Sequence, residues 1–136
     1  MKQFIITLSF LLSLSLASFA NTNDLELPTE ESSAKLVKMV QGADKSDYET
    51  YTKAAEFAIN WNADLEMAKG WIDHALSINE NSKSVEVLGD YYVRVGQPEK
   101  ARDAYFKALE LGLHSVDQKD IDRLQRKVLV YARQYK

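Results

Sequence analysis

The chain has 136 residues but no cysteine, only two prolines and only two histidines. Without thiols it has no disulfide framework, no thiolate nucleophile and no thiolate metal ligand, so its stability must come from packing. Neither His74 nor His114 belongs to an H-x-x-x-H or H-E-x-x-H pattern. His74, within Trp71-Ile-Asp-His-Ala-Leu76, is expected on a polar helix face, and His114 in a turn beside Gly112. The five glycines form no phosphate-binding loop, and no serine stands in a G-x-S-x-G elbow. Asp73 and Asp103 read as solvated carboxylates, and Phe57, Trp61, Trp71 and Tyr91 as packing residues. A surplus of positive charge is lacking too: the formal net charge is −3, which argues against a phosphate backbone as the main partner. The expectation is a protein without catalysis, cofactor or metal.

The N-terminus carries the one long apolar run. Lys2, a run from Phe4 to Phe19, and Ser18-Phe19-Ala20 before Asn21 together read as a secretory signal over residues 1–20, cut after Ala20. Thr7, Ser9, Ser13, Ser15 and Ser18 interrupt the run, whereas a retained anchor needs about 20 predominantly apolar residues. An uncleaved anchor is the alternative. No cysteine follows for lipid attachment. The expected location is therefore the periplasm or the extracellular space. Residues 21–28 have no periodicity, with Asp24 and Glu26 around Leu25 and Leu27, and are expected to form a flexible leader.

Helical periodicity fills the remainder, residues 29–136, expected as one domain. Thr29 is placed to cap a first helix, favoured by Glu30 and Glu31, with Ala34, Val37 and Val40 as its apolar face, Leu36 and Met39 beside them, and Gly42 as its stop. Ser46-Asp-Tyr-Glu49 has capping-box spacing; Asp44, Ser46 and Asp47 resemble a calcium loop only faintly, lacking the central glycine and distal glutamate, and the helix cap is the favoured reading. The most organised stretch is Ser82–Ser115. Val85, Leu88 and Tyr92 share one face of a helix, Ala101, Tyr105, Ala108 and Leu109 one face of the next, with Gly96 ending the first and Pro98 opening the second. Gly89, Ala101 and Ala108 are small where two backbones should approach. Upstream, Tyr51, Ala54, Ala55 and Ala58 lie 34 residues before Val85, Leu88, Gly89 and Tyr92. Ala68, Ile72, Ala75 and Leu76 lie 33 before Ala101, Tyr105, Ala108 and Leu109, so the turn Asn60–Asp64 should hold one extra residue. Ser115-Val-Asp-Gln118 opens a last helix (about 116–135) with the stripe Ile121, Leu124, Val128, Tyr131 and Tyr135.

The order Val85, Leu88-Gly89, Tyr92, Gly96, Ala101, Tyr105, Ala108 resembles a tetratricopeptide repeat. It departs from that pattern where Val85 replaces an aromatic and Leu113 a proline. The resemblance implies an all-α, TPR-like solenoid of about two hairpin repeats (about 48–81 and 82–115), with an N-terminal helix and a C-terminal capping helix. It also implies a protein–protein interaction adaptor that binds a peptide or protein segment on a concave face. The partner-binding residues it implies are Glu49, Thr52, Lys53, Glu56 and Asn60 on the first helix, and Lys83, Glu86, Asp90, Val93 and Arg94 on the next. The acidic positions Glu56, Glu86 and Asp90 point to a basic partner and disfavour capture of a chain-end carboxylate. A second reading rests on the last helix, where Lys119, Arg123, Arg126, Lys127, Arg133 and Lys136 accompany Val128-Leu-Val-Tyr-Ala132. That pattern suits contact with an anionic membrane surface or self-association into a homo-oligomer.

Overall fold

A computed structural model describes residues 30–133. The expected signal segment, the leader, the Thr29 cap and Tyr135 lie outside the described residues. Among these the fold is all-helical: α1 (Glu30–Gln41), α2 (Tyr48–Asn60), α3 (Leu65–Ile78), α4 (Ser82–Arg94), α5 (Pro98–Gly112) and α6 (Gln118–Ala132). Short connections make sequence neighbours space neighbours. Thus α2 packs on α3, α4 on α5 and α5 on α6, while α4 also meets both α2 and α3.

Small residues set how closely the helices pack. Ala54, Ala55 and Ala58 of α2, Ala68 and Ala75 of α3, and Ala101 and Ala108 of α5 are all fully buried, with Ile72 among them. The tightest contact is between α4 and α5. A Cβ placed on Gly89 would stand 2.6 Å from Cδ1 of Tyr105, so only a glycine lets that ring lie across α4. Tyr105 is in turn one of the largest fully buried side chains. Two clusters form the core: one joins Leu36, Ala55, Ala58, Ile59, Ala68, Ile72 and Val87, the other Val85, Ala104, Ala108 and Leu124. Leu124 comes from α6, which thereby closes the second cluster.

The α2–α3 and α4–α5 turns share one closure. After α4, Gly96 takes φ +72°, its N–H donates to the Val93 carbonyl, and Gln97 N–H donates to Tyr92. After α2, Asn62 takes φ +53°, its N–H donates to Ile59, and Ala63 N–H donates to Ala58. Both are Schellman closures, with asparagine doing in the first what glycine does in the second, because its short amide side chain tolerates the left-handed region. The extra residue follows this closure: α3 begins at Leu65, α5 at Pro98, so the helix starts are 33 apart while the left-handed residues are 34 apart.

Three local expectations are corrected. The caps of α2 and α6 are Asp47 and Asp117, which accept from Thr50 N–H and Asp120 N–H, not Ser46 and Ser115. The two serines are occupied elsewhere, Ser46 Oγ donating to Asp44 and Ser115 Oγ to the Leu111 carbonyl. Asp44, with both Ser46 N–H and Oγ on one carboxylate oxygen, forms a closed turn rather than a cation loop. In α1 the buried residue is Leu36, while Ala34 is exposed and Val37 and Val40 are half-buried. This helix meets only α2 to any extent, so one neighbour sets a narrow contact line.

Gly89 and Gly70 make a paired test. Glycine-to-alanine exchange within a helix ordinarily stabilises by about 1 kcal/mol. At Gly70, where an added Cβ meets nothing within 4 Å, Gly70→Ala should show that gain in urea denaturation. At Gly89→Ala the overpacking cost of about 1–3 kcal/mol should reverse the sign. The same sign for both would contradict the close approach of α4 and α5.

Candidate functional site

Spacing of three and four residues gathers side chains on one helix face. On α2 that face carries Glu49, Thr52, Lys53, Glu56 and Asn60; on α4 it carries Lys83, Glu86, Asp90 and Arg94. Two cavities open along it. One, of about 540 Å³, lies between α2 and the start of α4 and takes Glu49, Thr52, Lys53, Glu56 and Lys83 together with Tyr48, Phe57 and Asn81. The other, of about 530 Å³, lies between the ends of α2 and α4 and the second half of α6. It takes Asn60, Asp90, Val93 and Arg94, joined by Ile59, Tyr105, Arg123, Arg126, Lys127, Val130 and Tyr131.

Glu86 lines neither cavity. It is 2 % exposed, and a carboxylate that deep costs several kcal/mol unless it is paired. Arg123 grips it with two parallel bonds, Nε to Oε1 at 2.9 Å and Nη2 to Oε2 at 2.8 Å. Lys127 Nζ adds a contact to Oε1 at 2.8 Å. The same ammonium reaches Asp90 at 2.6 Å, and Asp90 accepts from the Tyr105 hydroxyl at 2.7 Å. Lys127 also lies 5.0 Å from the Tyr105 ring centroid. At its outer edge Arg123 donates to Asp120. One connected network therefore ties α4, α5 and α6 together.

The electrostatics follow from this geometry. Burial pushes the Glu86 carboxyl up, but the hydrogen bonds and charges of Arg123 and Lys127 outweigh it and hold it at about 2. Hydrogen bonding to Glu86 drives the Arg123 guanidinium upward. Burial works against the Lys127 ammonium, yet Asp90 and Glu86 carry it above the usual lysine range. The Tyr105 phenol is raised by burial and by its bond to Asp90.

These contacts correct the expected acidic face. Glu86 and Asp90 are neutralised by α6, and Glu56 pairs with Lys83 at 2.5 Å. None of the three is left as an unpaired anion for a basic partner. Thr52 is also withdrawn: it is buried, with its hydroxyl donating to the Tyr48 carbonyl and lying 3.1 Å from Ser84 Oγ. Glu49, Lys53, Asn60 and Arg94 are exposed as expected. Arg94 donates to the neutral Asn62 amide oxygen and meets no carboxylate among the described residues. His74 is bound to the chain, its Nε2–H donating to the Lys45 carbonyl at 2.9 Å with Tyr51 against the ring.

The residues sequence reasoning missed are Arg123 and Lys127 as partners in this network. A signal was present, since acids at 86 and 90 and bases at 123 and 127 share a four-residue spacing. Among the described residues no group of three or more His, Asp or Glu is placed to hold a metal ion, and no helix is long and apolar enough to cross a membrane. No family model, curated protein or solved structure matches the chain.

The lowered carboxyl makes a signed prediction. A depressed acid stabilises the fold above its unfolded value, here 4.5, and loses that contribution as pH falls toward about 2. At about 1.4 kcal/mol per unit the contribution is about 3 kcal/mol. The raised Lys127 ammonium acts oppositely, and its part is lost only above 10.5. Glu86→Gln should therefore cost about 3 kcal/mol near neutral pH, read from urea midpoints. The gap to the unaltered chain should close between about pH 5 and about pH 2. A gap that stays constant through that interval would exclude the carboxylate as its source.

Proposed function

We propose that the chain is an exported, TPR-like interaction adaptor that binds an extended peptide or protein segment along the face shared by α2, α4 and α6. The supporting observation is the repeated hairpin. Helices α2–α3 and α4–α5 turn through the same Schellman closure one period apart, and small residues at matched positions pack each pair. The first helices of both pairs then lie side by side, with α6 in line after them, and the two cavities lie along the resulting groove. A groove of helix faces with apolar walls and mixed charge suits a segment better than a compact small molecule. The apolar run of residues 1–20 supports export, with cleavage after Ala20.

A second reading rests on α6. Leu129 and Val130 are 53 % and 54 % exposed, with Arg126 and Arg133 exposed near them. That strip supports self-association or contact with an anionic membrane surface.

Retention assays separate the two. Immobilised protein starting at Asn21 should hold an envelope partner that the double variant Lys53→Glu, Asn60→Glu releases, both proteins melting at the same temperature because both sites are exposed. Equal retention would remove the groove. In the same preparation, light scattering and sedimentation with anionic phospholipid vesicles should show a monomer that does not bind lipid. A dimer or vesicle binding that Leu129→Asp abolishes would favour the α6 reading instead.

A further inference from the structure

The cavity between α2, α4 and α6 has a charge opposite to that of the chain. It is lined by Arg94, Arg123, Arg126 and Lys127 against the single carboxylate Asp90, in a protein of net charge −3. Glu86 and Asp120, which touch Arg123 from outside the lining, reduce the excess without cancelling it. Two of the cations are committed to that network. The other two are not: Arg94 bonds only a neutral amide, and Arg126 is exposed and has no hydrogen bond or ion pair among the described residues. Between these guanidinium groups the walls are apolar, with Ile59, Val93, Val130 and Tyr131.

We propose that this cavity takes an acidic, aliphatic peptide segment, its carboxylates on Arg94 and Arg126 and an aliphatic side chain between Val93 and Val130. The inference rests on the groove reading above and adds the sign and register of the partner. A guanidinium is suited to a carboxylate because it presents paired N–H donors in a planar fork. Since Asp90, the one carboxylate in the cavity wall, is already paired with Lys127, an incoming carboxylate meets little repulsion there. The partner is a segment because the cavity between α2 and the start of α4 continues the face. Glu49 and Asn60 are eleven positions apart on α2, about 16 Å at about 1.5 Å per residue, which about five extended residues span. A second apolar side chain would then reach Tyr48 and Phe57 in the first cavity.

The test uses the protein from Asn21 onward and a blocked heptapeptide with glutamate at its first and third positions and leucine at its second and sixth. Glutamine and lysine versions serve as comparisons, followed by ¹⁵N–¹H NMR titration. The glutamate peptide should move the amides of Arg94, Arg126 and Val130 and bind about tenfold more tightly than the lysine peptide, with the difference shrinking as salt is added. Arg126→Glu, which breaks no observed contact, should abolish that preference at an unchanged melting temperature. Equal or tighter binding of the lysine peptide would overturn the acidic partner and leave the groove standing. Shifts confined to other surfaces would overturn the site. No shift with any of the three at millimolar concentration would remove both the inference and the groove on which it rests.

Discussion

A carboxylate taken out of water has to be given cations, and Glu86 imposes that requirement on the whole C-terminal half. Left alone on α4 it would be an unpaired buried charge, so α4 is incomplete without α6. The pairing fixes where α6 lies, which brings Leu124 onto the second core cluster and Tyr131 within 5.7 Å of Tyr105. It also draws Lys127 to Asp90 and thereby anchors the Tyr105 hydroxyl. The ring of Tyr105 occupies the space left by Gly89. Charge pairing on one side of α4 and close packing on the other therefore act on the same tyrosine.

The same requirement shapes the groove. Pairing Glu86 and Asp90 in cis turns a strip that reads as acidic into a cavity wall with cationic excess. The apolar remainder of α6, especially Val130, borders that cavity instead of facing only solvent. Arg123 and Lys127 hold the fold together and also line the cavity, whereas Arg94 and Arg126 line it without meeting a carboxylate among the described residues.

Helix content, helix order and most buried positions were legible from the chain because small and apolar residues recur at helical spacing. Ala54, Ala55, Ala68, Ala101 and Ala108 were expected at contacts and are buried there. Gly96 and Pro98 punctuated α4 and α5 as their backbone chemistry demands. What escaped were choices between similar local partners. Serine and aspartate both cap helices, and which one does so at 46–47 and 115–117 depends on where the serine hydroxyl finds another acceptor. Asn62 in the left-handed region was unmarked because asparagine adopts ordinary conformations as readily. The pairing of Glu86 and Asp90 by α6 escaped for a different reason. A charge pattern along one helix does not say which distant helix will neutralise it.

The residue 34 positions before Glu86 is Thr52, and the contrast between them bears on which helix each can lie against. Thr52 is neutral and meets the Ser84 hydroxyl of the following hairpin; Glu86 is ionised and meets Arg123 of the final helix. Inserting another copy of 82–115 after the second hairpin would strand a carboxylate against a helix that has no matching arginine. Docking α6 directly on α2 would strand two cations against a hydroxyl. The corresponding position in α2 and α4 thus selects what can lie beside each helix, a hydroxyl where it is threonine and a cation where it is glutamate.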